Sequence, residues 1–69
     1  MDIEWKDGFS IRVGIDGNTV LLSANKEGLL SLAEQLKAMA EEPSGTHLHY
    51  DMYNSLEDDS SELIVEKIE

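Results

Sequence analysis

The fold of this chain is decided by a stretch of alternating apolar and polar residues, FSIRVGIDG (residues 9–17). It is followed by a second apolar stretch, NTVLLS (residues 18–23). Alternation with a period of two is typical of a strand with one buried face. Asp16 and Gly17 supply the positive φ that a tight turn needs, so the chain returns as a second strand. The sequence therefore predicts a β-hairpin over residues 9–23. An earlier Asp-Gly pair, at residues 7–8, predicts a short edge strand at residues 3–6.

A helix is predicted directly after the hairpin. Asn25 is a favourable N-cap, and Glu27 lies in the first turn, where the helix dipole favours a carboxylate. Pro43 and Gly45 end the helix. Gly28 costs helix stability in the first turn, which indicates close packing against backbone or against a partner. Apolar residues at three- and four-residue spacing predict one buried stripe, made of Leu29, Leu32, Ala33, Leu36 and Ala40.

Two further strands complete the predicted fold. Residues 46–53 alternate again, and residues 62–68 form a closing strand after a polar, acidic loop at residues 56–61. The order ββαββ predicts one α+β domain over residues 1–69, with two layers: an antiparallel sheet of four to five strands and one helix on one face. Because one helix cannot cover both faces, the other face is predicted to be open and to carry Ser10, Arg12, Leu21, His47, His49 and Asp51.

Composition limits the classes of function. Fifteen acidic and five basic side chains give a formal net charge of -10, so phosphate backbones and anionic membranes would repel the protein. Neither nucleic acid nor a membrane is predicted as a partner, whereas a basic protein would be attracted. A domain this short has a thin core. The chain has no cysteine, so no disulfide bond supports that core, which favours a reducing cytoplasm or a homodimer that shares its core.

The run His-x-His-x-Asp at residues 47–51 is the strongest local signal for chemistry. Side chains two apart on a strand project to one side, so His47, His49 and Asp51 predict one alternative function, a small metal-binding or ligand-sensing domain. Outward histidines on an open sheet also serve as solvated or interface residues, which is the interpretation we favour. No nucleophile, acid–base pair or phosphate loop stands out, so neither enzyme activity nor a cofactor is predicted.

A second polar feature is the run of carboxylates at Glu57, Asp58 and Asp59. Hard cations bind oxygen ligands, but the alternating spacing and central glycine of a calcium-binding loop are absent. The run is therefore interpreted as a solvated loop or as a contact for a basic partner.

Three stretches of the sequence resemble a known family. They are residues 22–33, 45–51 and 61–65, and their most specific parts are Ser-Ala-Asn-x-x-Gly-Leu (residues 23–29) and Gly-x-His-x-His-x-Asp (residues 45–51). They resemble the immunity protein 32 family of bacterial polymorphic toxin systems. The resemblance implies a cytoplasmic protein that neutralises a cognate toxin delivered by neighbouring bacteria.

We therefore expect a ββαββ domain that binds and blocks a toxin through its open sheet face and its acidic loop. Two alternatives stay open: the metal-binding or ligand-sensing domain, and a homodimeric structural module whose open faces pair. The residues predicted to contact the partner are His47, His49, Asp51, Tyr53, Glu57, Asp58 and Asp59.

Overall fold

A computed structural model describes all 69 residues of the chain. It confirms the α+β class and the predicted order of two strands, a helix and two strands. None of its helices has the length and apolar character needed to span a membrane. The elements are β1 (Ile11–Asp16), β2 (Thr19–Ala24), α1 (Lys26–Met39), β3 (His47–Tyr50) and β4 (Leu63–Glu66).

The strands form two separate antiparallel pairs, β1–β2 and β3–β4, so the prediction of one sheet with four to five strands was wrong. The inner edge of β1 is occupied by an irregular segment, residues 57–61. Glu57 N–H donates to the carbonyl of Ile11 and Ser61 N–H donates to that of Val13, both at 2.8 Å. From Glu57 to Ser61 the segment advances four residues, whereas β1 advances only two, from Ile11 to Val13. The segment therefore bulges and cannot form a regular β-ladder with β1.

The predicted edge strand at residues 3–6 is also absent, because this segment bonds to helix side chains instead of to a strand. Lys6 N–H donates to Ser31 Oγ at 2.9 Å, and Gln35 Nε2 donates to the carbonyl of Glu4 at 2.9 Å. The N-terminal segment therefore lies along one flank of α1.

The start of α1 is held by Asn25 and Gly28. Asn25 Oδ1 accepts from Gly28 N–H at 2.8 Å, which confirms the N-cap, and also from Ser10 N–H at 3.0 Å. A Cβ atom at Gly28 would lie 2.7 Å from the carbonyl oxygen of Ser10, so only glycine allows the helix this close to the hairpin. The close packing inferred for Gly28 is therefore against backbone.

The buried stripe of α1 differs from the predicted one. Leu32 is buried as expected, but Leu36 is 45% exposed, and Leu29, Ala33 and Ala40 are exposed as well. The helix is rotated because its first turn packs on the hairpin and its polar side chains bond to the N-terminal segment. The residues that α1 buries are Gly28, Ser31, Leu32, Gln35 and Met39.

The core lies between α1, the inner half of β1 and the inner face of β3–β4. Its largest polar member is Tyr50, whose hydroxyl donates to Gln35 Oε1 at 2.8 Å. Trp5 stacks on Phe9 with ring centroids 4.4 Å apart and covers one side of this core. The buried cluster consists of Ile11, Val13, Leu32, Tyr50 and Leu56.

Candidate functional site

The outer face of the β3–β4 pair is open to solvent. His47 pairs with Glu66 and His49 pairs with Ile64, and all four side chains are exposed. The intervening Leu48 and Tyr50 are turned towards the core. Two imidazoles, one carboxylate and one aliphatic side chain therefore share a small, mixed surface.

The two histidines of this face are adjacent, with ring centroids 5.0 Å apart. His47 Nδ1 lies 3.1 Å from the carbonyl oxygen of Gly45, which only accepts, so Nδ1 carries the proton and donates. His49 Nδ1 lies 3.1 Å from Glu62 Oε2. The Nε2 atoms of both rings are left for contacts with a partner.

Asp51 does not join the histidines. It follows the last residue of β3, and its Oδ1 accepts from Tyr53 N–H at 2.9 Å and from Asn54 N–H at 3.1 Å. This aspartate stabilises a turn, and a strand over residues 46–53 was therefore too long a prediction. No group of three or more His, Cys, Asp or Glu side chains is placed to hold a metal ion.

Tyr53 stands at the tip of this turn with 89% of its surface exposed. The turn is tied to β3 because Asn54 Nδ2 donates to the carbonyl of His49 at 3.0 Å. It is tied to the core by Leu56, which is buried and whose N–H donates to the carbonyl of Asp51 at 2.8 Å. A large aromatic ring is thus presented to solvent on a fixed backbone.

The carboxylates of Glu57, Asp58 and Asp59 are exposed, but their backbone is held. The segment is bound to β1 at Glu57 and Ser61, and Val13 N–H adds a bond to Ser60 Oγ at 3.2 Å. This segment continues to Glu62, which contacts His49. The connection from the end of β3 to the start of β4 therefore carries Asp51, Tyr53 and the acidic run, and returns to the histidine face.

A small cavity borders the same histidine face and was missed by sequence reasoning. It has a volume of about 210 Å³ and lies between the N-terminal segment and β3. This is below the roughly 300–1,000 Å³ of most small-molecule sites. The only sequence signal for this cavity was the apolar pair Ile3 and Trp5, and that pair was assigned to the predicted edge strand instead. The cavity is lined by Ile3, Trp5, Leu48, His49, Tyr50 and Asn54.

Comparison with protein families gives one match. The family model described as Immunity protein 32 matches residues 19–68, which run from the start of β2 past the end of β4. The match therefore includes the N-cap and glycine at the start of α1, the histidine face and the acidic segment. Searches among curated proteins and among solved structures found no match.

Proposed function

Because the chain belongs to the immunity protein 32 family, we propose that it binds a cognate bacterial toxin in the cytoplasm and blocks it by covering its surface. The observation that carries this proposal is that the connection from β3 to β4 carries the exposed Tyr53 and a backbone-anchored run of three carboxylates, and returns to the histidine face at Glu62. The partner-binding residues of this proposal are His47, His49, Tyr53, Glu57, Asp58 and Asp59, with Asp51 as the residue that shapes the turn.

The charge of the chain supports a basic partner. A formal net charge of -10 gives a field that attracts a positively charged protein and raises the rate of encounter. The anchored backbone of residues 57–61 reduces the conformational entropy lost when its carboxylates pair with lysine or arginine. We infer that the surface of the toxin around its functional site is basic.

The apolar and aromatic groups supply the persistent contacts. Interfaces derive most of their affinity from a few buried anchors, and tyrosine is enriched among them. Tyr53 is the natural anchor because most of its ring is free in the isolated chain and its backbone is held. The cavity beside His49 has room for one side chain of the partner. In this scheme the protein acts by binding and performs no chemistry.

The experiment is co-expression with a candidate toxin domain, chosen from the genes that neighbour the one encoding this chain, followed by binding kinetics with the purified pair. We expect the chain to restore growth, and Tyr53→Ala to raise the dissociation rate about thirtyfold, as at a hot spot. His49→Ala should raise it by a smaller factor. The matched control is Leu30→Ala, an exposed aliphatic residue on the outer side of α1. Full protection together with unchanged dissociation for Tyr53→Ala and His49→Ala would contradict this surface, and absence of protection would contradict the function.

A further inference from the structure

The hairpin carries a second exposed surface, separate from the histidine face, which lies on the β3–β4 pair. The face of the hairpin that packs on α1 is buried only at the end away from the turn. Val13 is buried there, but its cross-strand neighbour Leu22 is 37% exposed, and the next pair outward, Ile15 and Val20, is more than 60% exposed. The distal half of the hairpin therefore projects beyond the helix with its apolar side chains uncovered.

The adjoining flank of α1 is apolar as well. Leu29 is 54% exposed and Leu36 is 45% exposed, with Ala33 between them on the same flank. The opposite flank is occupied by the N-terminal segment. Since Gly28 packs on Ile11 and Ala24, the helix rests on the same face of the hairpin that carries Val20 and Leu22. The two apolar surfaces therefore adjoin.

The outer edge of β2 is unpaired. Its only strand partner is β1. Asn25 N–H donates to the carbonyl of Ser10, which makes Arg12–Ser23 and Gly14–Leu21 the hydrogen-bonded pairs of the hairpin. The backbone groups of the alternate residues then point away from β1, at Val20, Leu22 and Ala24. Unpaired, apolar edge strands readily pair with another strand.

The distribution of charged side chains along β2 indicates which strand can pair with its free edge. Residues 17–25 contain no charged side chain, in a protein whose formal net charge is -10. Two copies can therefore approach along this edge with little local repulsion. Asp16 lies at one end of the uncharged stretch and Lys26 at the other, and neither forms an ion pair within the chain. Antiparallel pairing with a second copy brings opposite charges together at both ends.

We propose that β2 pairs antiparallel with β2 of a second copy, about a two-fold axis near Leu21 and Leu22. The product is a four-stranded sheet in the order β1-β2-β2-β1. An axis perpendicular to this sheet keeps both helices on one side, so Val20 and Leu22 of both copies lie between the two exposed helix flanks. The histidine face and the acidic segment stay free, so each copy retains its proposed toxin-binding surface.

The first test is analytical ultracentrifugation of the full chain from low to high micromolar concentration. We expect a monomer–dimer equilibrium. Val20→Lys, which places two charges near the axis, should raise the dissociation constant of the dimer more than about thirtyfold, as expected at the centre of an interface. The matched control is Ile64→Lys, a similarly exposed aliphatic residue on the histidine face, which should leave the dimer unchanged. Circular dichroism should show that both variants remain folded.

The second test addresses the antiparallel direction. Asp16→Lys and Lys26→Asp should each weaken the dimer several-fold, and the double variant should recover most of the loss because opposite charges face each other again. A wild-type chain that stays monomeric at high micromolar concentration would overturn the proposal and leave the edge to a foreign strand. A dimer that resists Val20→Lys or is lost with Ile64→Lys would overturn it as well. Toxin binding by the Val20→Lys monomer would leave the proposed function intact in either case.

Discussion

Tyr50 is a single residue that links several parts of the fold. Its ring lies in the core, in edge contact with Trp5 at 5.9 Å between centroids. Its hydroxyl donates to Gln35 of α1, and Gln35 in turn donates to the carbonyl of Glu4. One chain of hydrogen bonds, buried at its Tyr50 end, therefore joins β3, the helix and the N-terminal segment.

Replacing Tyr50 with phenylalanine tests this chain of bonds. The change leaves the buried Gln35 Oε1 without its donor, so the free energy of unfolding should fall by about 1–3 kcal/mol. Urea denaturation at neutral pH measures it. The control is Tyr53→Phe, where the ring is exposed and no comparable loss is expected. Equal stability of the two variants would show that the bond to Gln35 contributes nothing.

The same tyrosine predicts a pH dependence. Burial raises the pKa of Tyr50 above its ordinary value of 10.0, because the folded state disfavours the phenolate. The pKa of Tyr50 is higher in the folded than in the unfolded state, so the protonated tyrosine contributes to the free energy of unfolding. This contribution is fully present below the unfolded pKa of about 10 and is lost as pH rises through the folded pKa. Stability measured by denaturation should fall in this alkaline range. The fall should be smaller in Tyr50→Phe than in Tyr53→Phe, and equal slopes would contradict the prediction.

The orientation of α1 decides which of its leucines lie in the core. It presents two leucines four residues apart in very different surroundings, since Leu32 belongs to the core cluster and Leu36 lies on the exposed flank. Periodicity alone treats them as equivalent.

Alanine at each of these two positions separates core from flank. Leu32→Ala should lower the free energy of unfolding by about 2–5 kcal/mol, because it leaves a cavity. This approaches the whole stability of a chain of this size, at about 0.05–0.15 kcal/mol per residue. Leu36→Ala should cost less than about 1 kcal/mol in dilute, monomeric protein, as exposed positions do. Thermal denaturation compares the two, and similar losses would restore the predicted stripe.

For the whole molecule, the net charge governs how a basic partner approaches. The Debye length falls from about 10 Å at 0.1 M salt to about 3 Å at 1 M, so the association rate with the toxin should fall as salt rises. The dissociation rate should change much less, because buried contacts are screened less.

Glu57, Asp58 and Asp59 should carry a large part of this steering. Changing all three to their amides should lower the association rate and leave dissociation nearly unchanged. Stopped-flow kinetics across a salt series measures both rates. The matched control is amide replacement of Asp2, Glu4 and Asp7, which removes the same charge from the N-terminal segment. An association rate indifferent to salt and to the first variant would mean that the acidity has no part in binding.

The class and order of the elements were determined by sequence alone, because each depends on residues close together in the chain. The alternation of Ile11 and Val13, the turn after Asp16 and the cap at Asn25 are local features, and all appear in the structure. The outward placement of His47 and His49 follows from the same period of two.

The tertiary structure decided what lies beside each element. The hydrogen bonds that set the orientation of α1, and those that hold residues 57–61 on the inner edge of β1, join residues far apart in sequence. Lys6 and Ser31 are separated by 25 positions, and Val13 and Ser60 by 47. Periodicity reports that a helix has an apolar side, but not which neighbours compete for each flank. For that reason the sequence indicated the histidine face, whereas the exposed flank of α1 and the free edge of β2 emerged only when the chain was folded.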